Sequence, residues 1–177
     1  MRDGVQIETT HRGRLFRVEV LSYTDEHGRD VRREVVRHPG AVVVVAVLDD
    51  GRLVLIGNYR IAVDARLWEV PAGKLEPGEE PQHAAARELE EETGYRAAKI
   101  RPLGSFYTSP GFSDEIIHAF IAEDLTFVGA NLEPGEDIEA ADLALDEVMA
   151  MITDGRIRDA KTIASVLMWR QQAKETA

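Results

Sequence analysis

A continuous run of apolar, largely β-branched residues at positions 41–48 constrains the fold of this sequence more than any other feature. Such a run is typical of a strand that is buried on both faces. Asp50-Gly51 follows it as a hairpin signal and leads into a second apolar segment at residues 53–56. Because a membrane-spanning helix needs roughly 20 apolar residues, the run does not indicate a membrane protein. It predicts the inner part of a sheet that is covered on both sides.

Further strands and helices are expected before and after this run. Strand patterns occur at residues 14–23, 31–37, 98–107 and 115–122, and a short apolar piece at 67–70 ends in an expected loop at 71–73. Helices are expected at residues 81–93, 145–153 and 161–174. Pro81 suits the start of the first helix and Gly94 its C-terminal stop. An α/β architecture, with one mixed sheet flanked by helices, is the simplest arrangement.

Acidic residues are concentrated in two segments. The formal charge is −11 at pH 7, from 21 Lys and Arg against 32 Asp and Glu. Residues 73–94 contain seven Glu against Lys74 and Arg87, and residues 133–147 contain seven acids and no Lys or Arg. Clustered carboxylates repel one another unless a cation neutralises them, so these segments favour a divalent metal. The same charge repels phosphate backbones and disfavours nucleic acid as a partner.

Missing residue types and motifs narrow the function further. The chain has no cysteine, which excludes disulfides, thiolate zinc sites and a cysteine nucleophile. It also lacks the glycine-rich phosphate loop of ATPases and the nucleophile elbow of serine hydrolases. The first residues show no apolar signal-peptide core. We therefore expect a soluble, cytoplasmic protein with no membrane partner.

Three glutamates are expected on one face of the helix at residues 81–93. Glu88 is three and four positions before Glu91 and Glu92, the spacing that brings side chains together on a helix surface. Oxygen ligands of this kind suit Mg²⁺, which often bridges to substrate phosphates. The alternative is a solvated, Glu-rich helix face. The glycine-containing acidic loop before the helix favours the metal site, and Arg87 is placed to orient a carboxylate.

The fixed residues of this segment form a pattern with defined spacing. It consists of Gly73, five residues, Glu79, seven residues, Arg87-Glu88-Leu89, one residue, Glu91-Glu92, one residue and Gly94-Tyr95. This pattern resembles the Nudix box, the signature of hydrolases that cleave nucleoside diphosphates linked to another moiety. Tyr95 departs from it, since an aliphatic residue is more usual there. The resemblance implies the Nudix fold, an α/β/α sandwich around a mixed sheet.

The resemblance also implies roles for individual residues. Glu88 and Glu92 would be direct ligands of Mg²⁺, or of Mn²⁺ in its place, and Glu91 a further or water-mediated ligand. The carbonyl of Ala72 would join them. Glu91 and Glu92 are therefore also candidate catalytic residues. The residues that would mainly hold the loop and helix in shape are Gly73, Glu79, Arg87 and Gly94.

The segments on either side of the box resemble ADP-ribose pyrophosphatases. Upstream lie Asn58-Tyr59-Arg60 and Leu67-Trp68-Glu69-Val70-Pro71-Ala72-Gly73. Downstream, Pro110 lies sixteen residues after Gly94 and belongs to Ser109-Pro110-Gly111-Phe112-Ser113. A proline at this distance is the mark of that subgroup. Related GDP-sugar hydrolases share much of this pattern.

A hydrolase of this kind needs a base and groups that bind the diphosphate. A carboxylate within reach of the attacking water is a suitable base, and the resemblance places it in the second acidic segment, with Glu136 as first candidate and Asp137 and Glu133 as alternatives. The other interpretation of that segment is a solvated turn. Arg60 and Arg37 are candidate substrate-binding residues, because guanidinium groups suit phosphate oxygens. Glu115 is a further candidate for a contact with substrate, metal or water.

These inferences lead to one preferred function and two alternatives. The preferred function is Mg²⁺-dependent hydrolysis of the pyrophosphate bond of ADP-ribose to AMP and ribose 5-phosphate. The first alternative is hydrolysis of GDP-mannose or another nucleoside diphosphate sugar. The second is a non-catalytic module that binds ADP-ribose as a sensor.

The N-terminal segment is expected to serve assembly. Residues 1–40 would form an additional antiparallel β-sheet beside a Nudix hydrolase domain at residues 41–177, as part of the same unit. In the subgroup that the sequence resembles, such a sheet swaps across a homodimer and helps to build the nucleotide site. We therefore expect a homodimer.

Overall fold

The computed structural model describes residues 4–132 and 137–175. The helices are α1 (Pro81–Thr93), α2 (Leu145–Thr153) and α3 (Ala160–Glu175). The strands are β1 (Gln6–Arg12), β2 (Arg17–Thr24), β3 (Asp30–Arg37), β4 (Ala41–Val47), β5 (Leu53–Arg60), β6 (Ala65–Glu69), β7 (Ala72–Lys74), β8 (Tyr95–Tyr107), β9 (Ile116–Phe127) and β10 (Ile138–Leu143). Within these ranges, no helix has the length and apolar character needed to cross a membrane.

The main sheet has seven strands in the order β10-β5-β4-β9-β8, with β6 paired to β5 and β7 paired to β4. Strands β4 and β9 run parallel, whereas the other pairs are antiparallel. The sheet is therefore mixed, as predicted. Strand β4 is buried at positions 42–46, which confirms that the apolar run forms a strand covered on both faces.

Successive side chains of β4 point to opposite faces of the sheet, and each face has its own helical layer. Val42 belongs to a core cluster with Leu89 of α1. Val43 belongs to a second cluster with Val148 of α2 and Val166 of α3. The alternation of one strand therefore divides the core into two layers, and the expected α/β/α sandwich is confirmed.

A separate antiparallel sheet is formed by β1, β2 and β3, as the sequence predicts. Every residue of β1 is exposed. The sheet joins the main body through β3, where Val36 forms a bridge with Ser113 and its N–H donates to the carbonyl of Phe112 at 2.8 Å. The expected division of the chain at residue 40 and the role of this sheet in a dimer stay predictions.

Strands β7 and β10 are present in the structure although the sequence does not predict them, whereas β1 lies within the expected N-terminal sheet. Residues 71–73 were expected to form a loop, but Ala72 and Gly73 pair with Val43 and Val42 of β4. Strand β7 has only three residues, which is too few for an alternating pattern. Strand β10 pairs along its length with β5. The predicted bounds of α1 and α2 agree with the structure.

Candidate active site

Helix α1 is fixed at both ends. Pro81 occupies its first turn, and Gly94 ends it in the left-handed conformation at a φ of 76°. A Cβ added to Gly94 would also come 2.7 Å from a neighbouring backbone nitrogen. Leu89 is fully buried against the sheet. This anchoring sets the rotation of α1 and brings Glu88 and Glu92 to its contact with β7.

Two of the glutamates are buried where α1 meets β7. Glu88 is 8% exposed and Glu92 is 4% exposed. The Oε2 atom of Glu92 accepts a hydrogen bond from the backbone N–H of Ala72 at 2.8 Å. The Glu88 carboxyl lies against Gly73, where an added Cβ would come 2.0 Å from both Cδ and Oε1. Any residue larger than glycine at position 73 would therefore displace Glu88.

Arg87 connects the loop before α1 to the acidic face of the helix. Its Nε and Nη2 atoms donate to the two carboxylate oxygens of Glu79, at 3.0 and 3.1 Å. Its Nη1 atom donates to Glu88 at 2.7 Å and to Glu91 at 3.0 Å. The hydrogen bonds between Arg87 and Glu79 lower the pKa of Glu79 and raise the pKa of Arg87. Arg87 therefore holds three carboxylates in place while it neutralises part of their charge.

The chemistry of these donors fits a hard divalent cation. Burial of Glu88 and Glu92 does not match a solvated helix face, because an ionised carboxylate loses hydration on burial. Three carboxylates share the single guanidinium of Arg87, and Glu92 adds a fourth beside β7, so the site keeps an excess of negative charge. In residues 4–132 and 137–175, no three His, Asp or Glu side chains already converge as metal ligands. The available donors are all oxygen atoms, which Mg²⁺ prefers.

The acidic face opens into a cleft with two connected parts. The inner part, about 160 Å³, is lined by Glu88, Glu92 and Asn58. The outer part, about 490 Å³, is lined by Glu115 and Lys161, among others. Both parts are lined by the same four residues, Arg60, Ala72, Gly73 and Lys74. Cationic side chains therefore lie next to the buried carboxylates within one continuous cleft.

Arg60 is held at the edge of this cleft by a buried ion-pair network. Glu69 is fully buried, and its two carboxylate oxygens accept hydrogen bonds from Nε and Nη2 of Arg60 at 2.8 and 2.6 Å. Lys161, at the start of α3, also donates to Glu69 and pairs with Asp159 at 2.9 Å. Burial raises the pKa of Glu69, but Arg60 and Lys161 outweigh it and hold that pKa below its usual value of 4.5.

Sequence reasoning assigned no role to Glu69, Lys161 or Asp159. Glu69 belongs to the quoted lead-in to the box, which was the available signal for it. Lys161 lies 92 residues further along the chain, and no local pattern connects it to Glu69. The contact between them depends on how α3 packs against the end of the sheet.

Glu69→Gln is expected to lower the free energy of unfolding at pH 7 by about 3 kcal/mol. This value is at the low end for a broken buried ion pair, because the side chain of Arg60 is 40% exposed to solvent. Folding lowers the pKa of Glu69 from 4.5. Its contribution is therefore present above pH 4.5 and is lost as the pH falls through the folded-state value. Denaturant unfolding should show that the gap between wild type and variant narrows below pH 4.5. A gap that stays constant would contradict this assignment.

Arg37 and Glu115 are engaged with neighbouring protein groups. Arg37 donates to Glu19 at 2.7 Å and to Asp114 at 3.0 Å, which ties the N-terminal sheet to the loop before β9. It borders a separate pocket of about 190 Å³ with Phe16. Glu115 lines the outer cleft and accepts a hydrogen bond from the Thr108 hydroxyl at 2.6 Å. The structure thus places Glu115 in the cleft and Arg37 beside it.

Of the three candidate bases, the structure describes Asp137. Glu133 and Glu136 lie outside the described residues. On one side of that segment, the N–H of Asn131 donates to the carbonyl of Glu91 in α1 at 3.0 Å. On the other side, the Asp137 carboxylate accepts from Arg66 at 2.6 Å.

Pro110 lies in the loop that connects β8 to β9. The loop turns tightly, because the N–H of Phe112 donates to the carbonyl of Ser109 at 3.0 Å. Ser109 lines the outer cleft, and the carbonyl of Phe112 accepts from Val36 of β3. Pro110 therefore lies between the cleft and the N-terminal sheet.

Curated relatives resemble this chain along most of its length. The ADP-ribose pyrophosphatase of Bacillus subtilis is 41% identical over 156 residues, which cover 87% of this chain and 84% of that protein. The methanol dehydrogenase activator of Bacillus methanolicus is 42% identical over 164 residues, covering 92% and 89%. The GDP-mannose pyrophosphatase of Citrobacter koseri is 39% identical over 161 residues, covering 84% of each chain.

The fold and the family model agree with these relatives. The crystal structure of an ADP compounds hydrolase is similar to this chain with a TM-score of 0.85 and 26% sequence identity, covering 100% of this chain and 97% of that chain. The model of the NUDIX domain matches residues 37–166, which include α1, β7 and every residue that lines the cleft except Leu15. The resemblance seen in the sequence is thereby confirmed, and the chain belongs to the Nudix family of hydrolases.

Proposed function

We propose that this protein hydrolyses the pyrophosphate bond of ADP-ribose, giving AMP and ribose 5-phosphate with Mg²⁺ as cofactor. The observation that carries the proposal is the pair of buried carboxylates, Glu88 and Glu92, which lie beside Gly73 in a cleft that Arg60 also lines. A relative that is 41% identical bears the name ADP-ribose pyrophosphatase. Chemistry and relationship therefore support the same substrate class.

The acidic part of the cleft would hold the metal. Glu88 and Glu92 would be its ligands, with the carbonyl of Ala72 and with Glu91 as a further or water-mediated ligand. When bound, Mg²⁺ would neutralise phosphate charge, stabilise the leaving phosphate and lower the pKa of the attacking water. Mn²⁺ is the alternative ion. The chain's own contribution is to keep these oxygen atoms fixed between α1 and β7.

The cationic part of the cleft would bind the diphosphate. Two donor atoms of Arg60 are used by Glu69, and the 40% exposure of its side chain leaves the rest of the guanidinium accessible from the cleft. Guanidinium groups bind phosphate oxygens with good geometry. Glu115 lies in the outer part, where it would contact the sugar or a bound water, and Arg37 would support the nucleotide side.

Glu136 is the proposed general base, with Asp137 and Glu133 as alternatives. Both flanks of the segment support this choice, since Asn131 is bonded to α1 and residue 138 pairs with Asn58, which lines the inner cleft. A general base has to reach the attacking water, and these flanking contacts favour a base from this segment. Glu136→Gln should therefore lower kcat more than Asp137→Asn or Glu133→Gln does.

The substrate proposal is tested by comparing nucleotides under one set of conditions. The purified protein is incubated with Mg²⁺ and with ADP-ribose, GDP-mannose, NADH, diadenosine polyphosphates or nucleoside triphosphates, and products are separated by chromatography. We expect the highest kcat/KM for ADP-ribose, with AMP and ribose 5-phosphate in equal amounts. A higher kcat/KM for GDP-mannose would overturn the choice of ADP-ribose.

Two alternatives to ADP-ribose hydrolysis are a hydrolase of another nucleoside diphosphate sugar and a non-catalytic sensor. Hydrolysis of another nucleoside diphosphate sugar is supported by a relative that bears the name GDP-mannose pyrophosphatase and is 39% identical. A non-catalytic sensor would bind ADP-ribose without cleaving it. The retention of Glu88, Glu91 and Glu92 together favours catalysis, because a binding module does not need all three.

The protein is also proposed to form a homodimer through the sheet β1-β2-β3. All residues of β1 are exposed in the single chain, so this sheet offers a surface to a second copy. Gel filtration with light scattering should give twice the chain mass of 19.7 kDa. A monomer at micromolar concentration would refute the dimer. The cytoplasmic location expected from the sequence stays a prediction.

A further inference from the structure

Two cationic residues, Arg60 and Lys161, meet at the carboxylate of Glu69, and the three residues lie on three separate elements. Arg60 ends β5, Glu69 ends β6, and Lys161 lies in the first turn of α3. Glu69 is 0% exposed, although its two partners both reach the outer cleft. An ionised carboxylate at such a position is stabilised only by close cationic partners. The three residues therefore form one unit rather than independent surface charges.

The geometry of this unit fixes the plane of the Arg60 guanidinium. Glu69 accepts from Nε at 2.8 Å and from Nη2 at 2.6 Å, a bidentate arrangement that restrains both position and rotation. The remaining N–H groups of Arg60 are then directed away from Glu69. Arg60 itself lines both parts of the cleft. A guanidinium restrained in this way loses little entropy when it binds an anion.

Lys161 is itself held rigidly, so that it can restrain Glu69. It pairs with Asp159 at 2.9 Å, and Asp159 also accepts from the backbone N–H and the hydroxyl of Thr162 at 2.9 and 2.6 Å. The Thr162 hydroxyl in turn accepts from the N–H of Val70 at 2.9 Å. The start of α3 is thus bonded to the segment that follows Glu69, which places Lys161 at a fixed distance from that carboxylate.

We propose that Glu69 and Lys161 are positioning residues, which orient Arg60 for binding the diphosphate group of the substrate. This inference rests on the proposed function of the same cleft. Lys161 fixes and neutralises Glu69, and Glu69 fixes the guanidinium of Arg60. Neither of the two positioning residues contacts the reacting atoms, so their effect on the reaction passes through Arg60.

The inference is tested by double-mutant cycles with Arg60. Lys161→Met and Glu69→Gln are each made alone and in combination with Arg60→Ala, and KM and kcat for ADP-ribose are measured. Loss of one charged hydrogen bond corresponds to about a tenfold change. We expect KM to rise about tenfold in each single variant, with kcat changed less than about threefold, as for lost uniform binding. When Arg60→Ala is already present, adding Lys161→Met or Glu69→Gln should raise KM by less than about twofold.

Two further variants separate positioning from stability. Lys161→Arg keeps a cationic donor, so its KM should stay close to that of wild type and not rise as it does in Lys161→Met. Val148→Ala truncates a fully buried residue of α2 and should lower the melting temperature without a change in KM. An unchanged KM in Lys161→Met and Glu69→Gln would overturn the inference. An equal rise of KM with and without Arg60 would also overturn it, because Lys161 or Glu69 would then act on the substrate directly.

Binding measurements separate this inference from the proposed function. Calorimetry of ADP-ribose binding to the same variants in EDTA measures affinity without turnover. If wild type binds ADP-ribose in EDTA but does not cleave it when Mg²⁺ is supplied, the proposed hydrolysis is wrong, and a Kd that rises in the variants still supports positioning. If wild type neither binds nor cleaves ADP-ribose, both proposals are wrong.

Discussion

Glu92→Gln is expected to lower kcat for ADP-ribose by at least about 1,000-fold, because a neutral amide replaces a charge that the proposed metal site needs. The fold should survive, since a glutamine oxygen can still accept the hydrogen bond from the N–H of Ala72. Steady-state kinetics give the change in kcat. Binding of Mn²⁺, followed by electron paramagnetic resonance, should weaken in the same variant.

The matched control for this prediction lies two residues away on the same helix. Glu90 pairs with Arg96 at 2.8 Å on the exposed side of α1, away from the cleft. Glu90→Gln removes the same charge from the chain and should leave kcat within about twofold of wild type. Equal losses in both variants would show that the total charge of α1 is responsible. Near-wild-type turnover in Glu92→Gln would rule out Glu92 as a metal ligand.

Gly73→Ala is expected to lower kcat/KM by about 100-fold or more, since a misplacement of about 1 Å in an active site has effects of that size. The added methyl group would come 2.0 Å from the Glu88 carboxyl. Either the carboxyl moves or β7 moves away from α1. The first response separates Glu88 from Glu92, and the second separates both carboxylates from Ala72 of β7. In either case the affinity for Mn²⁺ should fall together with kcat/KM.

Gly51→Ala provides the control for a general effect of replacing glycine. Gly51 lies in the hairpin between β4 and β5, has a φ of +82° and has no atom within 4 Å of an added Cβ. This substitution should cost about 1 kcal/mol in stability through backbone strain and leave kcat/KM unchanged. If Gly73→Ala lowers stability alone and keeps full activity, the steric role assigned to Gly73 is wrong.

The local parts of the site could be predicted from the sequence. The bounds of α1 follow from Pro81 and Gly94, and the shared face of its glutamates follows from helical periodicity. The central strand follows from its apolar run. These features depend on residues that are near one another in the chain, so their spacing alone is informative.

The rest of the site depends on contacts between distant residues. Arg37 meets Asp114 across 77 positions, and Lys161 meets Glu69 across 92. Strand β7 forms because its backbone pairs with β4, not because its three residues show a strand pattern. The burial of Glu88 also depends on how closely Gly73 lets β7 approach α1. No spacing within a single segment reports such packing.

In the proposed function, the buried carboxylates of α1 hold a divalent cation that the hydrolysis of ADP-ribose requires. The most direct measurement follows the rate of AMP formation from ADP-ribose by the wild-type protein, first in EDTA and then at increasing concentrations of Mg²⁺. We expect no AMP above background in EDTA and a saturable return of activity with Mg²⁺. Full AMP formation in EDTA would contradict it.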